Sequence, residues 1–425
     1  MIGHILTQIW NKRRANAWLM IELVLVTFFL WKAIDPVFVM MSNRAIDKGF
    51  DMTNTFCLTM AEYPASHAKY SPEQATDSMR RVNFLRIYNL LRNYKDVTAA
   101  VVTINRGYPS SDSYNGTQLA VDSTNYSMQY FSFYSDGDYF GVFNIDGGIE
   151  GNPNHRDLTE PSVYLTRNVA RNMFGHDGAL NRTVASAGKP DNKYRVAGVI
   201  DKFKSRSIMQ PGEMSFMPTN ELQLWGFPYC MQICFRVADG VSPQVFAEGF
   251  KQEFAPLMNV GNYHYQTLTS FPAIEAEFEF MYGFTNTMRL QVSMAVFFLL
   301  CTFLGVSGAF WMRASARRGE VGLRMALGST RGGVLKAFFI ESWLITTVAW
   351  LIGLFVLFQF VFYTGFGTAE YLTGNMEYLH NRPVIHFGIV SLMVYILMVA
   401  IALLGTWVPA AKASNIEPAQ ALRDE

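Results

Sequence analysis

Four apolar runs limit what this chain can become. They cover roughly 17–40, 290–312, 338–363 and 387–408. A bilayer core of about 30 Å needs about 20 mostly apolar residues at about 1.5 Å each, and every run meets that length. The stretch from about 42 to 289 alternates polar and apolar residues like a water-soluble domain, and it is long enough to bury its own core. The expected fold class is therefore a membrane protein with four transmembrane α-helices and a mixed α/β extracytoplasmic domain inserted between helices 1 and 2. The formal net charge is +1, so bulk charge gives no reason to expect a nucleic-acid partner.

Lys12, Arg13 and Arg14 precede the first run, which makes a cleaved signal peptide one alternative. No small-x-small site follows, and the run ends in Trp31-Lys32-Ala33-Ile34-Asp35-Pro36, so an uncleaved anchor over 17–40 is the better reading. Ahead of it, Ile2, Ile5, Leu6 and Ile9 recur at helical spacing. They predict a short amphipathic helix over 1–16 on the membrane surface, with Trp10 and Trp18 near the headgroups.

Basic residues in the short segments set the orientation. The link between spans two and three holds Arg313, Arg317, Arg318, Arg324, Arg331 and Lys336. The tail has Lys412 and Arg423, whereas the 364–386 loop has Arg382 alone. Both termini and the 313–337 link are thus expected in the cytoplasm, with the large domain and the 364–386 loop outside.

Within the large domain, "VTAAVVTI", "YFSFYS", "YFGVFNI", "YRVAGVI" and "MQICFRV" read as strands by their β-branched and aromatic content. Residues 162–175 read as a helix with Val163, Val169, Ala170 and Met173 near one face and Gly175 as its stop. A second helix is expected over 242–258. Pro272 fits the first turn of a third, and Ile274, Phe278 and Met281 follow at helical spacing. Gly283 is tolerable in a helix, so a stalk is expected to run unbroken from there into span two. Cys57, Cys230, Cys234 and Cys301 are the cysteines. Cys230 and Cys234 on one strand would lie about 13 Å apart, too far to bridge. Either could pair with Cys57, or all could be small core residues; Cys301 falls inside span two.

The 313–337 link has a structure of its own. Residues 319–327 have helical composition, and Glu320 and Arg324 are four apart in the favoured order. Gly328 suits a helix stop, and Ser329 or Thr330 can cap a second helix starting near Arg331. The expectation is a helix–elbow–helix whose six cations meet anionic headgroups or an acidic partner groove. The plainer alternative is a positive-inside loop.

Here the residues carry a resemblance. "EVGLRMALGSTRGGVLKAFFIES" resembles the cytoplasmic motif of the FtsX/MacB class of ABC transporter permeases, through Glu320, Gly322, Arg324, Ala326, Leu327, Gly328 and Arg331. The tail "PAAKASNIEPAQALRDE" is similar to that family's closing signature, through Pro409, Ala410, Lys412, Ala413, Pro418, Ala421, Leu422 and Arg423. "DYFGVFNI" and the segment from "LTRNVARNMFG" to "VAGVIDKF" resemble the family's outer domain more loosely. Ala316 and Gly319 depart from the pattern, standing where charged residues are common.

The resemblance implies a MacB-type permease in the bacterial inner membrane. Its parts would be the N-terminal helix 1–16, span 17–40, a periplasmic core domain 41–270, stalk and span 271–312, a coupling elbow 313–337, span 338–363, loop 364–386, span 387–408 and tail 409–425. It implies a dimer with a second permease copy, identical or not, bound to a separate ABC ATPase. The ATPase-coupling residues would be Glu320, Val321, Gly322, Arg324, Met325, Ala326, Leu327, Gly328 and Arg331. No G-x-x-x-x-G-K-[ST] loop occurs here, since "AGKPD" at 187–191 lacks the leading glycine and the hydroxyl. ATP and Mg are accordingly expected in the partner ATPase, and no cofactor in this chain. A periplasmic adaptor and membrane lipids are further expected partners. The alternative within the family is a regulatory scaffold that controls a periplasmic enzyme or senses a ligand without transport.

Three intramembrane residues draw attention. Glu22 lies within span one, where a carboxylate costs up to about 3 kcal/mol at mid-depth. It reads either as snorkelling or pairing near the cytoplasmic face or as a polar contact to another span or a partner. Gly305 and Gly308 in span two permit close helix approach, to span one or across a dimer. Glu341, at the start of span three, reads as interfacial. His155-Arg156-Asp157 imitates a kinase loop without its other parts. The histidines show no metal-ligand spacing. No catalytic or metal site is expected.

Overall fold

The computed structural model describes residues 13–113, 115–145, 148–176, 178–222, 230–366 and 382–415. Residues 1–12 of the surface helix expected over 1–16 lie outside these, as do most of the 364–386 loop and the tail beyond 415. The chain divides into two compact units, Met1–Ser42 with Thr285–Glu425, and Asn43–Phe284.

The first unit is helical. Four of its helices are long and apolar enough to cross a membrane: α1 (Arg13–Ala45) and, after the inserted domain, α7 (Phe284–Ala316), α9 (Arg331–Thr364) and α10 (Pro383–Ser414), with the short α8 (Arg318–Ala326) before α9. Leu23, Leu30, Phe310, Ile345, Ala349, Val390, Val394 and Met398 form the bundle's core. Apolar residues such as Leu351, Phe355, Phe362, Leu392 and Ile396 are exposed, as lipid-facing positions should be. Close approach is local. A Cβ at Gly353 would fall 2.7 Å from Thr27 Cβ, and one at Gly405 2.9 Å from Phe303 O. Ser307 Oγ donates to Gly405 O at 2.8 Å across the latter contact.

The second unit, the inserted domain, opens with β1 (Thr55–Glu62), α2 (Asp77–Arg92), β2 (Val97–Ile104), β3 (Gly116–Val121), β4 (Thr124–Tyr134), α3 (Tyr139–Phe143), β5 (Ile149–Gly151) and β6 (Ser162–Thr166). It continues with α4 (Arg167–Phe174), β7 (Thr183–Ser186), β8 (Lys189–Ile200), β9 (Met214–Thr219), β10 (Met231–Val237), α5 (Pro243–Glu253), β11 (Tyr263–Ser270) and α6 (Phe271–Met281). The strand order is β11-β1-β10-β2-β4-β3-β7-β8-β6-β9. Because β9 also pairs in parallel with β4, the six strands from β4 to β9 close on themselves. The remaining four form an antiparallel sheet. Phe84, Ile87, Tyr88 and Leu91 of α2 recur at helical spacing and cover one face of it, together with Phe246 and Phe250 of α5. Val169, Ala170 and Met173 of α4 close the second core.

Three expectations need correction. "YFGVFNI" holds the helix α3 rather than a strand. The Asp138 carboxylate caps it by accepting from Gly141 N at 3.0 Å, and Tyr139, Phe140 and Phe143 are fully buried, so packing overrides their β-propensity. Residues 162–166 are strand β6, buried throughout between β8 and β9; only Arg167–Phe174 is helical, ending at Gly175 with φ 65°. The unbroken stalk is also absent. Gly283 adopts φ 77°, a left-handed conformation that a continuing helix excludes, so α6 and α7 are separate helices.

The end of α1 is held by a buried cation. The carbonyls of a last helical turn have no intrahelical donors. Lys204, with no solvent exposure, donates from Nζ to Asn43 O, to Ile46 O at 2.7 Å and to Ser207 O at 3.3 Å. Burial, with help from the Lys48 charge, pushes its ammonium down to about 8 from 10.5. Between those values the folded form has released a proton that the unfolded chain keeps, so stability rises with pH there and is lost again as pH falls through about 8. The expected gain is about 3 kcal/mol across the window. Chemical denaturation of the wild type from pH 7.5 to 10.5 checks it, and Lys204→Met should flatten that dependence.

Candidate functional site

The expected elbow is present. Arg317 leads into α8, which stops at Leu327, whose N–H donates to Leu323 O at 3.0 Å. Gly328 then takes φ 98°, and Ser329 N–H returns to Arg324 O at 3.0 Å. That geometry is open to glycine with little strain. Thr330 caps α9, its Oγ1 accepting from Gly333 N at 3.2 Å. A capped turn on a left-handed glycine is a defined corner, not a plain loop.

The nine residues expected to couple divide into three sets. Val321 and Gly322 are buried against the bundle and Met325 is half-buried. Glu320 and Arg324 pair with each other at 2.6 Å. Ala326, Leu327, Gly328 and Arg331 are exposed. Leu327 is 80% exposed and Leu323, one turn earlier on the same face, 52%. Two solvent-facing leucines on a short basic helix form a small apolar knob rimmed by charge. Leu323 escaped the sequence reading, although its i, i+4 relation to Leu327 was visible there.

The elbow's roots were also missed. Glu341 on α9 is buried among the helices. Its Oε1 accepts from Arg313 Nη1 at 3.1 Å and its Oε2 from Arg317 Nη1 at 2.9 Å. The side chains are only 6%, 13% and 11% exposed respectively. One carboxylate thus joins the end of α7, the entry to α8 and the start of α9. Arg313 also lies over the Phe310 ring at 4.8 Å. Two of the six cations expected at the surface are therefore structural, and a third is engaged by Glu320. A sequence signal existed, because a carboxylate inside an apolar run needs a cation, and Arg313 and Arg317 are one helical turn apart.

Deeper in the bundle, the Glu22 carboxylate lies over Gly305, where a Cβ would collide with both of its oxygens. Glu22 thus touches span two, and Gly305 provides the room for it. Among the described residues, no atom lies within 4 Å of a Cβ built on Gly308. A second polar contact was not anticipated. His386 Nε2 of α10 meets Asp35 Oδ1 of α1 at 2.6 Å, both essentially unexposed. Trp31 Nε1 donates to Ser391 Oγ one turn along the same seam at 3.2 Å. Among the described residues no cluster of side chains suits a metal ion.

The profile of the MacB-like periplasmic core domain matches residues 37–253, and that of the FtsX-like permease C-terminal domain matches 292–418. Four membrane helices with such a domain between the first two define the class: an ABC-transporter permease and a multi-pass membrane protein. The chain belongs to the family of FtsX-like permeases that carry a MacB-like periplasmic core domain. It is 25% identical over 270 residues to the ABC transporter permease YknZ of Bacillus subtilis, covering 61% of each. It is 25% identical over 291 residues to the macrolide export ATP-binding/permease protein MacB of Campylobacter jejuni, covering 66% of this chain and 42% of that one. For MacB of Neisseria meningitidis serogroup A the values are 25% over 194 residues, 45% and 29%. The chain thus spans less than two thirds of each of these relatives. Among solved structures, the periplasmic region of MacB from Actinobacillus actinomycetemcomitans is similar at 14% identity and TM-score 0.33, covering 54% of this chain and 94% of that one. The extracellular domain of YknZ is similar at 15% and 0.31, covering 50% and 100%.

Proposed function

We propose that this chain is the permease subunit of a MacB/FtsX-type ABC transporter and that it transmits the motion of an ATPase partner to its periplasmic domain for export or extraction of a substrate. The observation that carries this reading is the elbow. It presents Leu323, Leu327 and Gly328 outward, and it is rooted by the Glu341 carboxylate to α7 and α9. A protruding apolar corner supplies contact energy, and a buried ionic root passes displacement to the helices. ATP binding, with Mg, closes two ATPase subunits beneath the membrane and pushes the elbow. Both termini and the elbow are cytoplasmic in this reading. The second permease copy packs against α7, whose most apolar stretch is far less buried within this chain than that of α1 and which carries Gly308. Thrust along α7 ends at the Gly283 joint rather than in a continuous rod.

The test uses the full chain, affinity-purified in mild detergent from its native membrane. The wild type should bring an ABC ATPase with it. Leu327→Asp, at an exposed position, should reduce the recovered ATPase at least tenfold with the permease's melting temperature unchanged, a loss of about 1.4 kcal/mol or more in contact energy. Undiminished recovery with that variant would remove the elbow from the role.

A further inference from the structure

We propose that Cys57 and Cys234 form a disulfide through the core of the inserted domain. The two are direct cross-strand partners on the antiparallel strands β1 and β10. Val237 N–H donates to Asn54 O at 2.9 Å, and the register continues as Thr55 with Arg236, Phe56 with Phe235 and Cys57 with Cys234. Hydrogen-bonded and non-hydrogen-bonded pairs alternate in such a ladder, so Cys57 and Cys234 occupy a non-hydrogen-bonded pair. The Cα atoms of such a pair lie about 4.5 Å apart with side chains drawn together, inside the range of about 4.4–6.8 Å that a disulfide spans. Opposed residues share a face, and both cysteines point into one aromatic core with Tyr108, Tyr139 and Phe271. Cys230 precedes β10 and has no place in this register. Cys301 is in α7. All four cysteines are free thiols in this structure, and of the pairings open from the sequence the register sets only Cys57 and Cys234 opposite each other.

Chemistry and compartment agree. A MacB-like periplasmic core domain matures where disulfides persist. Cys57 and Cys234 are 3% and 0% exposed, and burial beside Cys57 pushes the Cys234 thiol well above its usual range. The Cys234 thiolate is therefore scarce in the finished fold, and the bond forms before the sheet closes. The Cys57 thiolate attacks one sulfur of a disulfide donor, a protein or small-molecule disulfide, and releases one donor thiol. The Cys234 thiolate then attacks Cys57 Sγ in the mixed disulfide and releases the second. Two chain thiols are oxidised and the donor disulfide is reduced to two thiols. Once sealed, the bond is closed to reductants and spans a loop of roughly 180 residues, which strongly restricts the unfolded chain.

The full chain, acid-quenched and denatured, is blocked with N-ethylmaleimide, then reduced and labelled with iodoacetamide, and its peptides are mapped. Cys57 and Cys234 should carry the second label in at least nine molecules of ten, with Cys230 and Cys301 carrying the first. In Cys234→Ala, Cys57 should switch to the first label. Maleimide on wild-type Cys57 and Cys234, or a linkage through Cys230, overturns the assignment.

Discussion

Glu341→Ala should destabilise the detergent-solubilised protein by about 3–5 kcal/mol, because it leaves two nearly buried guanidinium groups facing each other without their shared carboxylate. Arg313 and Arg317 are 13% and 11% exposed, so water cannot replace the lost charge. Glu341→Gln keeps the shape and one acceptor, and it should spare the fold while loosening the elbow. The measurement is limited trypsin digestion at Arg318 and Arg324, read beside the melting temperature. A weakening of about 1.4 kcal/mol raises the population of the opened elbow, and hence the cleavage rate, about tenfold. If Glu341→Ala melts with the wild type, the carboxylate is not the root of the corner.

The second large effect is expected at Asp35 and His386. Each single replacement by leucine strands the other polar group in the bundle, at a cost of about 3–5 kcal/mol. The double leucine variant removes both groups and should recover to within about 1–2 kcal/mol of the wild type, since a buried polar pair is seldom better than packed apolar groups. A double-mutant cycle on thermal midpoints measures the coupling. Additive single effects would show that α1 and α10 are aligned by packing alone. Among the described residues Asp35 Oδ2 is buried without a hydrogen-bond partner, so part of the pair's cost is already present in the wild type. That favours registration of the two helices over raw stability as its role.

Much of the architecture was legible because membrane spans and short caps are local problems. Four runs of sufficient length reveal four helices, for an apolar segment in lipid must satisfy its own backbone. Gly328 and Thr330 announced a corner through backbone conformation and capping, both decided within a few residues. β2 and β10 were readable end to end from β-branched and aromatic content. The failures are equally specific. "YFGVFNI" has strand-like composition, yet Asp138 and the surrounding aromatic core make it α3. Residues 162–166 continue smoothly into a helical pattern, and only pairing with β8 and β9 shows them to be a strand. Gly283 was compatible with either state.

The site divides in the same way. The positions of Glu320, Leu327, Gly328 and Arg331 at the corner follow from spacing along one helix. That Glu341 serves Arg313 and Arg317, that Glu22 needs the missing side chain of Gly305, and that Asp35 meets His386 are facts about different helices. By itself the sequence determined the number of spans, the place of the inserted domain and the existence of a basic, glycine-jointed elbow, because each depends on length, hydropathy or local dihedral preference. Tertiary structure alone decided which buried charges are partners, which glycines are contacts and which cysteines face each other. Those depend on register and helix rotation, and the energies that set them arise only when residues of different helices and strands are brought together.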